Sequence, residues 1–274
     1  MNKNYIRTDL AVESQVRNIT PRQYGTNFDI TEIIIDNDEI GKSIGKKKGR
    51  YVTLMADELS KFTENFKEMS IELAEEIQKF VKTDGLCLVV GLGNIEITPD
   101  ALGPRVAQKV LATRHLKEEL GEEDDFLTSL RPVSVLATGV LGQTGIETAE
   151  IVGAMCKTLK PSLVIVIDAL ACLDVERLGT TIQISDSGIS PGSGAFNKRR
   201  ELSEETLGVP VTAIGVPTIV SLQSLLKQTQ HGDMLVTPRD IDKLILRASE
   251  LIGLSINLAL QETLSFEDAE LLCE

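Results

Sequence analysis

The sequence is poor in the residues that build metal sites and disulfide frameworks. Its 274 residues include two histidines and four cysteines, and no two cysteines form a CxxC pair. Structural zinc sites and secreted disulfide scaffolds need denser clusters of these residues, so we expect neither. The histidines also lack a spacing that suggests a nucleophilic triad. The cysteine pattern predicts reduced thiols in a cytoplasmic protein.

Aromatic residues and long apolar runs are scarce as well. Aromatics make up 4% of the chain and tryptophan is absent, so the core must be aliphatic. The longest apolar run, Leu163–Leu173, is too short for a bilayer, and the N-terminus lacks the apolar core of a signal peptide. The net charge of −13 argues against direct nucleic-acid binding, which depends on Lys and Arg. We expect a soluble protein that binds neither membranes nor nucleic acid.

One stretch, Leu86–Pro104, organises the rest of the chain. Its apolar start predicts a buried strand, Gly91 and Gly93 interrupt that strand, and Thr98-Pro99-Asp100 is typical of a helix start. In an open α/β sheet, sites are built in the loops at the carboxyl ends of strands. We therefore interpret Asp100 as one half of a site.

The second half of that site is Asp168, which follows the apolar run Leu163–Ile167. A carboxylate there is costly unless it is paired or protonated, and burial raises its pKa. If Asp100 and Asp168 face one crevice, one of them keeps a proton. The charged acid then activates water and the protonated acid polarises a carbonyl, which is peptide hydrolysis without a covalent intermediate. The structural alternatives are a helix cap at Asp100 and a cap of the next segment at Asp168.

Two other motifs indicate chemistry less specifically. Asp186-Ser187-Gly188 resembles a turn of pepsin-like proteases, but it occurs once, and an Asx turn explains it. Gly91-Leu92-Gly93 lacks the third glycine of a dinucleotide-binding loop, because Glu96 occupies its place. A metal held by carboxylates remains an alternative, with Asp100 and Asp168 as its ligands.

The hydrophobic pattern predicts an α/β protein. Strands rich in Val, Ile and Leu alternate with amphipathic segments, which favours a parallel or mixed sheet covered on both faces. We expect one domain with an N-terminal β-rich appendage, a basic loop at Gly41–Arg50 and a frayed acidic C-terminus. The predicted strands include Asp29–Ile35, Tyr51–Met55, Val133–Leu136, Leu163–Ile167, Thr181–Ile184 and Val211–Ile214, and the predicted helices include Ser60–Val81, Ile146–Leu159 and Pro238–Gln261.

From about Tyr5 to Leu260, consecutive motifs of the chain resemble the spore germination protease family, the endopeptidases that degrade small acid-soluble spore proteins. The motifs include LVVGLGN (88–94), TPDALGP (98–104), GQTGIET (142–148), VIDALA (166–171), TIQISDSGI (181–189) and MLVTPRDID (234–242). The resemblance implies kinship with hydrogenase-maturation peptidases and a three-layer α/β/α fold with a mostly parallel twisted sheet. It also implies catalytic acids at Asp100 and Asp168, no cofactor, a homotetramer, and a place in the cytoplasm of the forespore or spore core.

The resemblance further implies a self-processing zymogen. Residues 1–9 would be a leader, removed by a cut between Asp9 and Leu10 in RTDLAVE, and residues 10–274 a single α/β peptidase domain. Two departures stand out: Ser190 replaces a usual histidine, and only about ten residues, near Gln223–Gly232, stand in place of a long insertion. The alternatives are a metal-dependent peptidase that uses the same two acids, and an inactive or nucleotide-binding relative.

Overall fold

The structure, a computed structural model, describes residues 8–14, 21–81, 83–116, 126, 129–192, 199–222 and 234–273. The strands in these ranges are β1 Arg22–Tyr24, β2 Asp29–Ile35, β3 Gly49–Met55, β4 Cys87–Gly91, β5 Val133–Ala137, β6 Leu163–Cys172, β7 Thr181–Ser185, β8 Val211–Ser221 and β9 Leu235–Val236. The helices are α1 Asp38–Ile44, α2 Phe66–Gln78, α3 Leu102–Ala107, α4 Leu141–Thr144, α5 Thr148–Leu159, α6 Glu204–Leu207, α7 Ile241–Leu260 and α8 Phe266–Cys273. Short 3-10 turns cover Ala11–Glu13, Thr98–Asp100 and Val175–Arg177.

All nine strands of the described ranges belong to one sheet, in the order β1-β2-β3-β7-β8-β6-β4-β5, with β9 beside β8. Strands β5, β4, β6 and β8 pair in parallel, and the other pairings are antiparallel. The expected α/β class is confirmed, with a sheet more mixed than expected. The N-terminal strands β1, β2 and β3 are the β-rich N-terminal part that the sequence predicts, and they join this sheet through β7.

Helices cover both faces of the sheet. On one face, α2, α3 and α7 pack against strand residues such as Val89, Ile165 and Ile214. On the other face, α5 packs against the alternating residues, for example Val90 and Val166. This alternation follows from the two-residue period of a strand, so each strand serves two apolar layers. The core is aliphatic, as the scarcity of aromatics predicts.

Two segments contain a helix where the sequence predicts a loop or a frayed end. The basic stretch Gly41–Arg50 is only partly a loop, because α1 runs to Ile44 after Asn37 caps it by accepting from two backbone N–H groups. Gly45 then ends this helix in the left-handed conformation at φ 70°. The C-terminal segment forms α8, whose buried Phe266 and Ala269 pack against Leu254.

Strand β6 is longer than predicted, and this places the site. The prediction ends the strand at Ile167, but it continues to Cys172 and keeps its pairing with β8. Its other neighbour, β4, stops at Gly91, opposite Ile167. Asp168 is therefore the first residue of β6 beyond the end of β4, inside a strand and not at its end.

The four cysteines are free, as the sequence predicts. Among the described residues, no helix has the length and apolarity needed to span a bilayer.

Candidate active site

Asp168 is a buried carboxyl in the middle of the sheet, with 5% of its surface exposed. Its Oδ1 accepts a hydrogen bond of 2.9 Å from the Ala169 N–H. Burial raises the pKa of Asp168 well above its usual value, and the charges of Asp100 and Asp9 raise it further. The hydrogen bond from the Ala169 N–H lowers the pKa of Asp168. Asp168 is therefore the group at this site that most readily holds a proton.

Asp100 lies in the 3-10 turn Thr98–Asp100, downstream of β4, and is half-buried. The Asn94 N–H donates to its Oδ2 at 2.8 Å. Burial raises the pKa of Asp100, and the bond from Asn94 partly offsets this effect. Asp100 does not cap α3. The residue at the N-cap position is Ala101, and the helix has no side-chain cap hydrogen bond there. The structural alternative for Asp100 is therefore wrong.

Two glycines allow the acids to lie close together. Gly93 has φ 110°, and a Cβ there would meet the Asp100 carbonyl oxygen at 2.1 Å. A Cβ on Gly103 of α3 would meet the Leu92 carbonyl oxygen at 2.3 Å and the Ile167 carbonyl oxygen at 2.5 Å. Because both positions lack a side chain, α3 and the turn before it pack directly on β4 and β6. The carboxyl groups of Asp100 and Asp168 are near enough for their charges to interact.

The segment Thr8–Ser14 lines a cleft of about 700 Å³, together with Leu170, Gln183 and Gly215, whereas neither Asp100 nor Asp168 is among the cleft's described lining residues. The Asp9 N–H donates to the Ala171 carbonyl oxygen at 3.0 Å, and the Ala171 N–H donates to Asp9 Oδ2 at 2.9 Å. Asp9 is thus bound to β6 three residues beyond Asp168, and its charge contributes to the raised pKa of Asp168. The residue that we predict to precede the cut therefore lies close to Asp168, one of the two predicted acids.

The two residues after Asp9 are buried in apolar surroundings. Leu10 is fully buried in a cluster that contains Leu170, Cys172 and Val220. Ala11 lies in another cluster with Ile33, Ile35 and Tyr51. In this segment, the acidic side chain accepts a hydrogen bond from the backbone N–H of Ala171, and the next two side chains are apolar and lie in the interior.

Charged residues fix both ends of this segment. The Lys46 ammonium donates to the Thr8 carbonyl oxygen at 2.8 Å. Burial lowers the pKa of Lys46 to about 8, although the charges of Asp9 and Glu13 act to raise it. The Glu13 carboxylate accepts from the N–H groups of Leu173 and Asp174, each at 2.9 Å, and from the Thr8 hydroxyl.

Gln183 on β7 is a site residue that the sequence analysis missed. Its Nε2 donates to the Asp9 carbonyl oxygen at 3.0 Å, and its Oε1 accepts from the Ala11 N–H at 2.7 Å. The available signal was a polar residue between Ile182 and Ile184 in a strand that otherwise reads as core. The partners were not predictable, because they lie more than 170 residues earlier in the chain.

The remaining candidates lie as follows. Asp186 accepts from the Arg50 N–H at 2.7 Å, which gives the Asp-Ser-Gly turn a structural role. Ser190 lines the cleft, whereas the shortened segment 223–232 lies outside the described residues. Within the described ranges, no three His, Cys, Asp or Glu side chains cluster as metal ligands. Asp100 and Asp168 alone do not make the three-ligand set of a typical catalytic zinc site.

Comparison with known proteins gives one consistent family. The family model described as germination protease matches residues 7–231. A germination protease of Clostridium tetani is 38% identical over 317 residues, covering 96% of this chain and 98% of that protein. A germination protease of Priestia megaterium is 44% identical over 250 residues, covering 82% and 66% respectively.

Among solved structures, a [NiFe] hydrogenase maturation protease, HycI, from Thermococcus kodakarensis matches with a TM-score of 0.37 and 20% identity. The match covers 66% of this chain and 98% of that one. Because the similarities to germination proteases extend over most of the sequence, the chain belongs to the germination protease family.

Proposed function

We propose that this protein is a self-processing endopeptidase in which Asp100 and Asp168 act as the acid and base. The observation that carries the proposal is the position of the Asp9–Leu10 peptide bond. The Asp9 backbone is hydrogen-bonded to β6 at Ala171, and the Asp9 charge contributes to the pKa of Asp168. A peptide of the chain itself is thus held close to the buried carboxyl of Asp168, whose charge also interacts with that of Asp100.

The chemistry follows from one proton shared by two acids. The ionised carboxylate takes a proton from water, whose oxygen bonds to the Asp9 carbonyl carbon while the carbonyl electron pair moves onto oxygen. The protonated acid polarises that carbonyl. Collapse of the tetrahedral intermediate breaks the C–N bond, and the Leu10 nitrogen takes a proton from the acid pair. The products are a chain ending at Asp9 and a chain beginning at Leu10.

The contacts of the segment also support a preference for substrates. An acidic side chain before the cut receives a backbone N–H from Ala171, and an apolar side chain after the cut fills the pocket that Leu10 occupies. A small residue suits the position of Ala11 beside Tyr51. We propose that the same site cuts small acid-soluble spore proteins after an acidic residue during germination, in the spore core.

The bound segment also explains how activity is held back. Residues 1–9 form the leader in this proposal, and Thr8 and Asp9 line the cleft that a substrate would enter. Residues 10–274 form a single peptidase domain. From the family resemblance, we propose a homotetramer of such domains that needs no cofactor.

The test is digestion of a purified small acid-soluble spore protein by the processed enzyme, with fragments identified by mass spectrometry. We expect cuts after acidic residues that precede apolar ones, and no cuts by an Asp168→Asn chain that, like the wild type, is prepared without residues 1–9, so that the leader blocks neither cleft. Equal digestion by both preparations would reject the acid pair. Loss of digestion in a chelator, restored by added divalent metal, would reject the shared-proton mechanism in favour of a metal-dependent one.

A further inference from the structure

Gln183 makes two contacts that the acid pair does not explain. It follows Ile182 and precedes Ile184 in β7, its side chain points to the opposite face from theirs, and 7% of the residue is exposed. A buried amide needs a hydrogen-bond acceptor for its nitrogen and a donor for its oxygen. Gln183 finds both on the backbone of the segment Thr8–Ser14.

The two contacts lie on either side of Leu10. The amide nitrogen donates to the Asp9 carbonyl oxygen at 3.0 Å, and the amide oxygen accepts from the Ala11 N–H at 2.7 Å. The side chain therefore binds the peptide as a neighbouring strand would, through backbone groups only. Such contacts are independent of the side chains of the bound peptide, so any substrate backbone can make them.

The side chains of Gln183 and Asp168 lie on the same face of the sheet. Asp168 on β6 pairs with Gly215 on β8, and Gly215 pairs with Gln183 on β7. Residues paired directly across neighbouring strands point to the same side of a sheet. The acid and the amide therefore approach the bound peptide from the same face, two strands apart.

We propose that Gln183 is a catalytic residue that binds the oxygen of the carbonyl under attack. This inference rests on the proposed function, because the Asp9 carbonyl is the scissile one only if the chain cuts before Leu10. As water adds to that carbon, the carbonyl electron pair moves onto oxygen, and the Gln183 Nε2–H group already points at the atom that becomes negative. Removing a preorganised donor of this kind typically slows an enzyme about 100-fold to 1,000-fold.

Two variants of the full chain separate the donor from the acceptor. Gln183→Glu keeps an oxygen for the Ala11 N–H and loses the donor while the new carboxyl is ionised. Gln183→Met removes both groups at similar volume. Gln23→Met, at an exposed glutamine of β1, is the matched control. The rate is the loss of residues 1–9, followed by intact mass from about pH 4.5 to 8, and thermal unfolding checks the fold.

Hydrogen exchange at Leu10 and Ala171, whose N–H groups donate to Thr8 and Asp9 and not to Gln183, reports whether the segment stays in the cleft. We expect both Gln183 variants to process about 100-fold more slowly at neutral pH while the segment stays protected, because Lys46 and Glu13 still hold its ends. Relative to wild type, the glutamate variant regains rate at low pH, where a protonated carboxyl can donate. The methionine variant stays slow, and Gln23→Met matches wild type.

Wild-type rates in the Gln183 variants would overturn this inference alone, provided that Asp168→Asn stops processing. A rate that falls only in proportion to loss of protection would also overturn it, since Gln183 would then merely hold the segment. A wild-type chain that never processes would overturn the inference together with the proposed function.

Discussion

Asp168 and Gln183 lie in one row of the sheet, each paired with Gly215 from opposite sides. Neighbouring strands are about 4.8 Å apart, so the two backbones are separated by roughly 10 Å. The residue between them has no side chain beyond its Cα, and Leu170 packs over that position. The Asp9 backbone is bonded to Ala171 on one of these strands and to Gln183 on another. The peptide is therefore bonded to the strand of Asp168 and to the side chain of Gln183.

The buried carboxyl of Asp168 makes stability depend on pH. Because its pKa is raised in the folded state, Asp168 contributes stability below its unfolded pKa of about 3.9, and this contribution is lost as pH rises through the folded pKa. Asp168→Asn lacks this effect, so its free energy of unfolding relative to wild type should increase with pH. Urea unfolding between pH 4 and 8, with intact mass confirming full-length chains, measures the difference. A difference that does not change with pH would contradict the buried, protonated state.

The neighbouring charges should set the pKa of Asp168. Replacing Asp100 or Asp9 by asparagine removes a negative charge that raises it, so the Asp168 pKa should fall in each variant. Titration of the side-chain carboxyl carbon by NMR measures the change. Asp36→Asn, at an exposed position, is the control and should leave the pKa of Asp168 unchanged. An unchanged Asp168 pKa in Asp100→Asn would mean that the two acids do not interact.

Leu10 should be the apolar anchor of the segment. Truncation of a fully buried leucine costs about 2–5 kcal/mol, and here the loss falls on the contact between the segment and the cleft. We expect Leu10→Ala to process at least about 10-fold more slowly. Leu271→Ala, at an exposed leucine of α8, should process at the wild-type rate. The rate of loss of residues 1–9 is the measurement, and equal rates in the two variants would show that the pocket does not hold the segment.

Gly103 should be intolerant of any side chain. A Cβ there would meet backbone atoms of Leu92 and Ile167 at 2.3–2.5 Å, so Gly103→Ala pushes α3 away from β4 and β6. We expect a loss of about 1–3 kcal/mol in stability together with slower processing, because Asp100 moves with the helix. Gly153→Ala in α5 has open space and should stabilise the protein by up to about 1 kcal/mol. Chemical denaturation tests both, and a neutral Gly103→Ala would contradict the close packing.

Apolar runs were sufficient to predict much of the sheet. β2 has the predicted bounds Asp29–Ile35, and β5 was predicted to within one residue. The extension of β6 was missed because a carboxylate inside a buried strand reads as its end. The pattern carries no information on the pairing with β8 that continues past Asp168. A polar residue after an apolar run can therefore end a strand or lie inside it, and only the pairing with neighbouring strands distinguishes the two.

The acid pair was predicted from two separate strand ends, whereas Gln183 was not predicted at all. Asp100 and Asp168 each stand out locally, next to glycines or an apolar run. The function of Gln183 depends on Asp9 and Ala11, and only the folded chain brings these residues to β7. A contact between a side chain and a distant backbone group produces no recognisable pattern of residues in the sequence.

The most direct test of self-processing by the two acids is the intact mass of the purified full chain over time at mildly acidic pH, beside Asp100→Asn and Asp168→Asn. Self-processing by the two acids predicts timed loss of residues 1–9 and a new N-terminus at Leu10 in the wild type alone. Equal processing of all three proteins would contradict it, because another residue or another protease would then make the cut.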